Sequence, residues 1–338
     1  MLMSCLISKL SARGGAEDKP VFASQLVFDS DPLHPSCHAA TIAELRNGDL
    51  LTAWYAGTRE GAKDVVILAS RLPRGSKKWT PPVVIEDTPN RPEGNPVLFV
   101  DKQGMVWLFF VTMYGDGWTT CQVKYKKSSD QGQTWGAVTI LRDELGWMTG
   151  NKPTVLKNGE ILLPLYDERK WSTIVMISSD AGKTWRQTAE ITSTPGNIQA
   201  SMVELRDNSL LALMRSGGSG ERYIWQATSK DRGRTWSPAA SSGLKNPNAR
   251  TDLVRLHSGH LVLAFNDTFR GRTPLNLALS KDEGRSWPSN RKIETEPGEY
   301  SYPALIQARD GLLHLVYTYR RTHIKHVTFN EAWLMQTE

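Results

Sequence analysis

An eight-residue phrase that returns four times constrains this 338-residue chain more than any other feature. SSDQGQTW begins at Ser128, SSDAGKTW at Ser178, SKDRGRTW at Ser229 and SKDEGRSW at Ser280. All fit S-x-D-x-G-x-[TS]-W, and their tryptophans, Trp135, Trp185, Trp236 and Trp287, are 50, 51 and 51 residues apart. A degenerate copy, SRLPRGSKKW, keeps Ser70 and Trp79 but has no Asp. Self-similarity at about 50 residues marks an array of stacked or blade-like units. In each phrase the aspartate (Asp130, Asp180, Asp231, Asp282) can accept backbone N–H groups of a tight turn, and the glycine can take positive φ. The Trp is expected to pack between neighbouring sheets. Chemistry seldom needs one acid four times over, so these boxes read as devices of the fold.

A second repeat interleaves with the first. LRNGDLLTAW starts at Leu45, DKQGMVWLFF at Asp101, LKNGEILLPL at Leu156, LRDNSLLALM at Leu205, LHSGHLVLAF at Leu256 and ARDGLLHLVY at Ala308. Each reads as strand, tight turn, strand, because N-G and D-G pairs flanked by aliphatic residues are strong hairpin signals. Six such units of about four strands, with no convincing helical periodicity, predict an all-β fold, a six-bladed β-propeller. VFASQLVF from Val21 is a spare strand that can complete the last blade and close the ring. Residues 21–338 therefore form one domain, and residues 1–20 a tail expected to be poorly ordered.

Composition excludes other classes. No apolar run approaches the ~18 residues of a membrane span. The net charge of +6 comes from scattered Lys and Arg, which argues against nucleic acid and suits an anionic small substrate. Cys5, Cys37 and Cys121 form neither a C-x-x-C pair nor an even set, so no disulfide framework or zinc site is indicated. The histidines lack metalloenzyme spacing, and no metal or cofactor is expected. The N-terminus has a short apolar stretch without a positive flank, a poor signal peptide, so a cytoplasmic location is expected. Oligomeric state is not legible.

The repeat also locates a site. In a propeller the first strand of each blade lines the central channel, and ligands sit where those strands begin. Counting back about nine positions from each turn gives His38, Asn95, Asn151, Gln199, a position within 250–252, and Tyr302. The second strands return to the same face near Tyr55, Tyr114, Asp167, Arg215, Asn266 and Tyr319. Two loops attach there: GTREGAKD, with Arg59, Glu60 and Asp64, and FNDTFRGRTPL, with Asp267, Arg270 and Arg272.

The S-x-D-x-G-x-x-W phrases resemble the Asp-box of sialidases (neuraminidases) and related six-bladed glycosidases, over almost the whole chain from Val21. The resemblance implies a fold of that kind and carries over several residues. Asp64 matches the family's general acid/base, with Glu60 its stand-in. Arg215 and Arg272 match two of the three arginines that bind the substrate carboxylate, and Arg59 follows the first hairpin as a second arginine does in the family. Tyr302 in YPALIQARDG matches the tyrosine nucleophile, with Tyr300 the alternative register. Two positions depart: His38 stands where the first carboxylate-binding arginine would be, and Gln199 replaces the glutamate that activates the tyrosine. Asn95 and Asn151 are expected to contact substrate from the rim.

The implied partner is a glycan bearing a terminal acidic sugar, sialic acid or a related carboxylate sugar, cleaved by an exo-acting hydrolase. Two alternatives share the same residues. A His and a Tyr facing a uronic acid neutralised by arginines can carry out lyase elimination, and a rim of this kind can bind glycans without turnover.

Overall fold

The computed structural model describes residues 19–336, so the predicted tail lies outside the described residues except for its last two positions. Six antiparallel sheets follow one another along the chain. Blade 1 runs Ser36–Glu44, Leu50–Gly57, Val66–Leu72 and Val83–Glu86, and blade 2 Glu93–Val100, Val106–Met113, Cys121–Ser128 and Thr139–Arg142. Blade 3 has its first strand in two pieces, Trp147–Thr149 and Thr154–Val155, before Ile161–Asp167, Ser172–Ser178 and Arg186–Ile191. Blade 4 comprises Asn197–Glu204, Leu210–Ser216, Tyr223–Ser229 and Ala240–Lys245, and blade 5 Asp252–Arg255, Leu261–Phe265, Leu275–Ser280 and Ser289–Glu294. Blade 6 takes Tyr300–Gln307, Leu313–Tyr319 and His323–Phe329 from the C-terminal end, and Phe22–Leu26 pairs with the last of these as its fourth strand. The spare strand thus closes the ring, as the repeat count requires.

The hairpin turns fall at the expected residues: Gly48, Gly104, Gly159, Asn208, Gly259 and Gly311 are all left-handed, with φ between 66° and 91°. Burial decides the strand patterns. Leu50–Gly57 and Val106–Met113 are buried at every position because each is covered by blades on both faces, whereas Val83–Glu86 and Ala240–Lys245 at the outer edge alternate or lie open.

Each box closes the link between third and fourth strands. In the first, Ser128 Oγ donates to Asp130 (2.7 Å), Gly132 N–H donates to Ser128 Oγ (2.7 Å), and Thr134 N–H donates to Asp130 (2.9 Å). The same bonds recur at Asp180, Asp231 and Asp282. These hydrogen bonds favour the ionised carboxylate, first from the hydroxyl and N–H of Thr184 at Asp180 and of Ser286 at Asp282. At Asp231 they outweigh partial burial. The carboxyls are held down to about 2. The residue before each glycine (Gln131, Ala181, Arg232, Glu283) is also left-handed, so the turn needs two positive-φ residues in succession rather than the one expected.

The glycine has a second duty: a Cβ on Gly132, Gly182, Gly233 or Gly284 would meet Leu51, Trp107, Leu162 or Leu211, the matching second-strand residue of the preceding blade. Each box thereby leans on its neighbour, and its Trp packs at the same junction. Trp135 joins the core shared by blades 1 and 2, and Trp185 that of blades 2 and 3. Trp79 of the degenerate copy does so between blades 1 and 6, edge-on to His326 at 5.2 Å.

Gly182→Ala would place a methyl 2.6 Å from the Trp107 ring at φ 80°. It is expected to lower stability by ~2 kcal/mol through overpacking and backbone strain, read from urea unfolding.

Candidate active site

Four first strands carry the same irregularity. Their ladders slip between His38 and Thr41, Gly94 and Val97, Ile198 and Ser201, and Ser301 and Ala304. Inside each slip sits a left-handed non-glycine residue: Ala39 (φ 56°), Asn95 (42°), Gln199 (55°) and Tyr302 (55°). Each stands nine residues before its hairpin turn. Gly150 and Arg250 hold that position in blades 3 and 5, where the first strand is broken or begins late. The bulge turns the extra side chain into the channel mouth.

Two sequence expectations shift accordingly. The blade 1 rim position belongs to Ala39, and His38 lies one residue before it. In blade 3 it belongs to Gly150. Asn151 instead faces the closed channel, donating to the Thr251 carbonyl (2.7 Å) and to Asp252 (3.2 Å).

One hydrogen-bonded chain spans the mouth. Asn95 Nδ2 donates to the Tyr166 hydroxyl (3.1 Å), as does Gln199 Nε2 (3.4 Å). Arg215 Nη1 donates to Gln199 Oε1 (3.0 Å) and to the Tyr302 hydroxyl (2.6 Å), and its Nε donates to Asn248 (2.6 Å). The Arg215 guanidinium also lies 5.5 Å from the Trp171 ring, which sits over Gly217, while the Trp171 Cβ and carbonyl crowd Gly196; a Cβ at either glycine would clash. Arg215, Arg250 and Arg272 surround the Tyr302 ring at 5.8, 5.0 and 5.2 Å from its centroid. Arg215 and Arg272 therefore share one face of the disc and one tyrosine. Tyr300 is fully buried in the core of blades 5 and 6, its hydroxyl accepting from Arg320 (3.2 Å). Of the two tyrosine registers, Tyr302 is the one among the arginines.

A second set of charges borders Tyr302. Arg272 Nη1 donates to Glu299 (2.7 Å) and Ser301 Oγ (3.2 Å). Arg321 Nε donates to the same Glu299 oxygen (2.7 Å), while its Nη1 donates to Glu60. Of the loop carboxylates, Glu60 is the one whose charge reaches Tyr302 and Tyr55. Asp64 is exposed and accepts from Thr58 N–H and Oγ1, both at 3.0 Å, closing the base of the loop. Arg59 is exposed.

Burial opposes ionisation of the Tyr302 phenol, but Arg215, Arg272 and the Gln199 amide outweigh it and hold its pKa below the usual 10. His38 is driven well below 6.5, by burial first and then by Arg321, Arg272, Arg250 and Arg215. It is neutral near pH 7 and supplies no positive charge. Its Nδ1 meets Thr318 Oγ1 at 2.7 Å, and Ala39 N–H donates to that same oxygen.

Burial also pushes Glu168, two residues after Tyr166, up to about 7, against the opposing charge of Arg215. Glu168, Glu299, Arg321, Tyr166 and Asn248 were not singled out in the sequence. Glu299 and Arg321 lie in EPGEYSYP and YTYRRTH, beside tyrosines that hold the repeat positions.

The family described as BNR repeat-like domain matches residues 48–315. Among curated relatives, a sialidase of Bacteroides fragilis is 24% identical over 276 residues, covering 71% of this chain and 49% of its own. The anhydrosialidase of Macrobdella decora is 24% identical over 239 residues, covering 62% and 31%. The chain thus spans about half the length or less of these two. A Hadza microbial sialidase superimposes with a TM-score of 0.78 at 20% identity, over 90% of this chain and 68% of that one. A Dyadobacter fermentans protein of unknown function does so at 0.77 and 16%, over 91% and 97%. At these identities the superpositions establish the fold.

Tyrosinate absorbance should show a phenol titrating below 10 that disappears in Tyr302→Phe and moves upward in Arg215→Met, since the mutation removes the cation that does most to hold it down.

Proposed function

Since the chain belongs to the BNR repeat-like family of sialidase-like propellers, we propose that it is an exo-acting glycoside hydrolase that removes a terminal acidic sugar from a glycan. The observation that carries this reading is the contact of Arg215 with the Tyr302 hydroxyl (2.6 Å), with Arg272 beside the same ring. Two guanidinium groups around one phenol favour a carboxylate next to the sugar's reacting carbon and favour tyrosinate over tyrosine.

That second effect bears on the glutamine at position 199. A neutral amide cannot take a proton, so Tyr302 must lose its own to solvent, and the adjacent arginines make that loss easier. Tyr302 then attacks the anomeric carbon or stabilises positive charge there; sialidases with a Tyr nucleophile are an exception to the paired-carboxylate scheme. Gln199 fixes Arg215 through its carbonyl oxygen. The leaving oxygen takes its proton from the loop of residues 58–64, where Asp64 is the donor that the family motif indicates and Glu60 the alternative.

The neutral, buried His38 next to Tyr302, their ring centroids 4.1 Å apart, favours one other reading, elimination from a uronide with Tyr302 as base. Products separate the two: elimination leaves an unsaturated sugar absorbing in the near ultraviolet, hydrolysis a free reducing sugar.

Fluorogenic sialosides, uronides and neutral glycosides should be offered to the parent and to Arg215→Met. Hydrolysis confined to the acidic substrates is expected, with kcat/KM falling on the order of 10²-fold in the variant as charge-assisted contacts in the transition state are lost. Equal turnover of neutral substrates, or none of any, would refute the reading. Because burial first, and the surrounding arginines next, hold the His38 pKa well below 6.5, binding of the acidic sugar should show no loss as pH rises through 6.5; a loss there would restore His38 as a cation.

A further inference from the structure

Arg321 is a cation of the central site that the repeat did not announce. It stands in the turn between the strands Leu313–Tyr319 and His323–Phe329, left-handed like Arg320 before it (φ 62° and 55°). The Arg321 carbonyl accepts from Cys37 N–H (2.8 Å), which ties this turn of blade 6 to blade 1 beside His38. Arg320 turns away to the Tyr300 hydroxyl, while the Arg321 guanidinium crosses inward to two carboxylates. Of the cations that act on His38, Arg321 has the largest effect, ahead of Arg272.

The charges here are unevenly matched. Glu299 sits between Arg272 and Arg321, 2.7 Å from each. One carboxylate between two guanidinium groups leaves one positive charge, and Glu60 answers it from a different element. Glu299 is anchored within the blade, accepting also from Ser301 Oγ (3.1 Å), and its own backbone carbonyl accepts from Arg320 N–H (2.7 Å). Glu60 is carried by a surface loop, with the left-handed Gly61 after it, where an added Cβ would meet nothing within 4 Å. The Glu60 side chain is 36% exposed. A movable carboxylate reaching into fixed arginines occupies the kind of place an incoming acid group would take.

We propose that Arg321 is a further anion-binding residue of the central site, and that Glu60 is its placeholder, displaced when the acid group of the substrate binds. This rests on the acidic-sugar reading above. Glu60 is then a specificity device: a neutral sugar has nothing with which to dislodge it. It also leaves Asp64 as the proton donor of the loop.

Titration calorimetry at neutral pH on the full chain tests this with N-acetylneuraminic acid, glucuronate and glucose as probes. E60Q is nearly isosteric and removes only the competing charge. It should tighten binding of the acid by several-fold, whereas R321M should weaken it about tenfold, the worth of one charge-assisted hydrogen bond. In E60Q/R321M the gain from E60Q should vanish. Weaker acid binding in E60Q would overturn the placeholder, because the pair would then be scaffold. R321M that melts like the parent and binds the acid equally well would overturn Arg321 as a contact; should R321M not fold, the sign of the E60Q effect decides alone. Binding of glucuronate without N-acetylneuraminic acid would sink the sialic acid reading and leave the inference to be decided on glucuronate. Binding of neither acid by the parent would sink both.

Discussion

Arg250 is the contact on which the closed ring depends. It is 2% exposed and, among the described residues, has no carboxylate in hydrogen-bond contact. Its guanidinium instead donates to carbonyls of three other blades: Gly150 (2.8 Å), Ala40 (2.8 Å) and Tyr302 (3.0 Å). In a propeller the first strands splay around an axis and cannot pair with one another, so their inward carbonyls need donors that no ladder supplies. One planar side chain with several N–H groups in fixed directions meets that need across the axis. Below it, Asp252 plays the complementary part, accepting from Ser201 Oγ (2.8 Å), Lys152 (2.6 Å) and Leu305 N–H (2.7 Å). The charged hub sits directly beneath Tyr302, so the residue that braces the ring also floors the site.

The site is electropositive by construction. Arg215, Arg272, Arg321 and Arg250 act on Tyr302 or His38, while Glu60 and Glu299 offset only part of that charge. Burial strengthens this field, because little water reaches these groups to screen it. The same field works in opposite senses on neighbouring groups. It keeps an imidazole neutral and makes a phenol more acidic, so the two departures from the family motif, at His38 and Gln199, sit in surroundings where neither a histidine cation nor a carboxylate base is required.

How much of this was legible in the sequence follows from what repeats. Turns and boxes recur at fixed spacing, so the blade count, the closing strand and the arrival of Arg215 at the mouth could be read by register alone. The rim positions in blades 1 and 3 were harder. The strand Ser36–Glu44 is buried at every position between its ends, so it has no alternation for a bulge to interrupt; Ala39 passes for an ordinary strand residue and His38 takes its place in the count. Blade 3 interrupts its first strand at Gly150, which shifts attention to Asn151. The pairing of Glu299 with Arg272 and Arg321, and of Arg321 with Glu60 some 261 residues away in the chain, leaves no periodic trace. Such contacts depend on which loops the closed ring brings together, and only the assembled fold shows them.

The left-handed bulge has a consequence for how such a molecule can change. Alanine, asparagine, glutamine and tyrosine occupy the same backbone conformation in four blades, so that conformation does not depend on the side chain it presents. Each of these four blades offers a socket whose occupant can be exchanged while the strand and its hairpin stay as they are. Chemistry and scaffold are thereby decoupled: a lineage can rewrite its substrate one blade at a time, and Ala39 is a socket that presents only a methyl group.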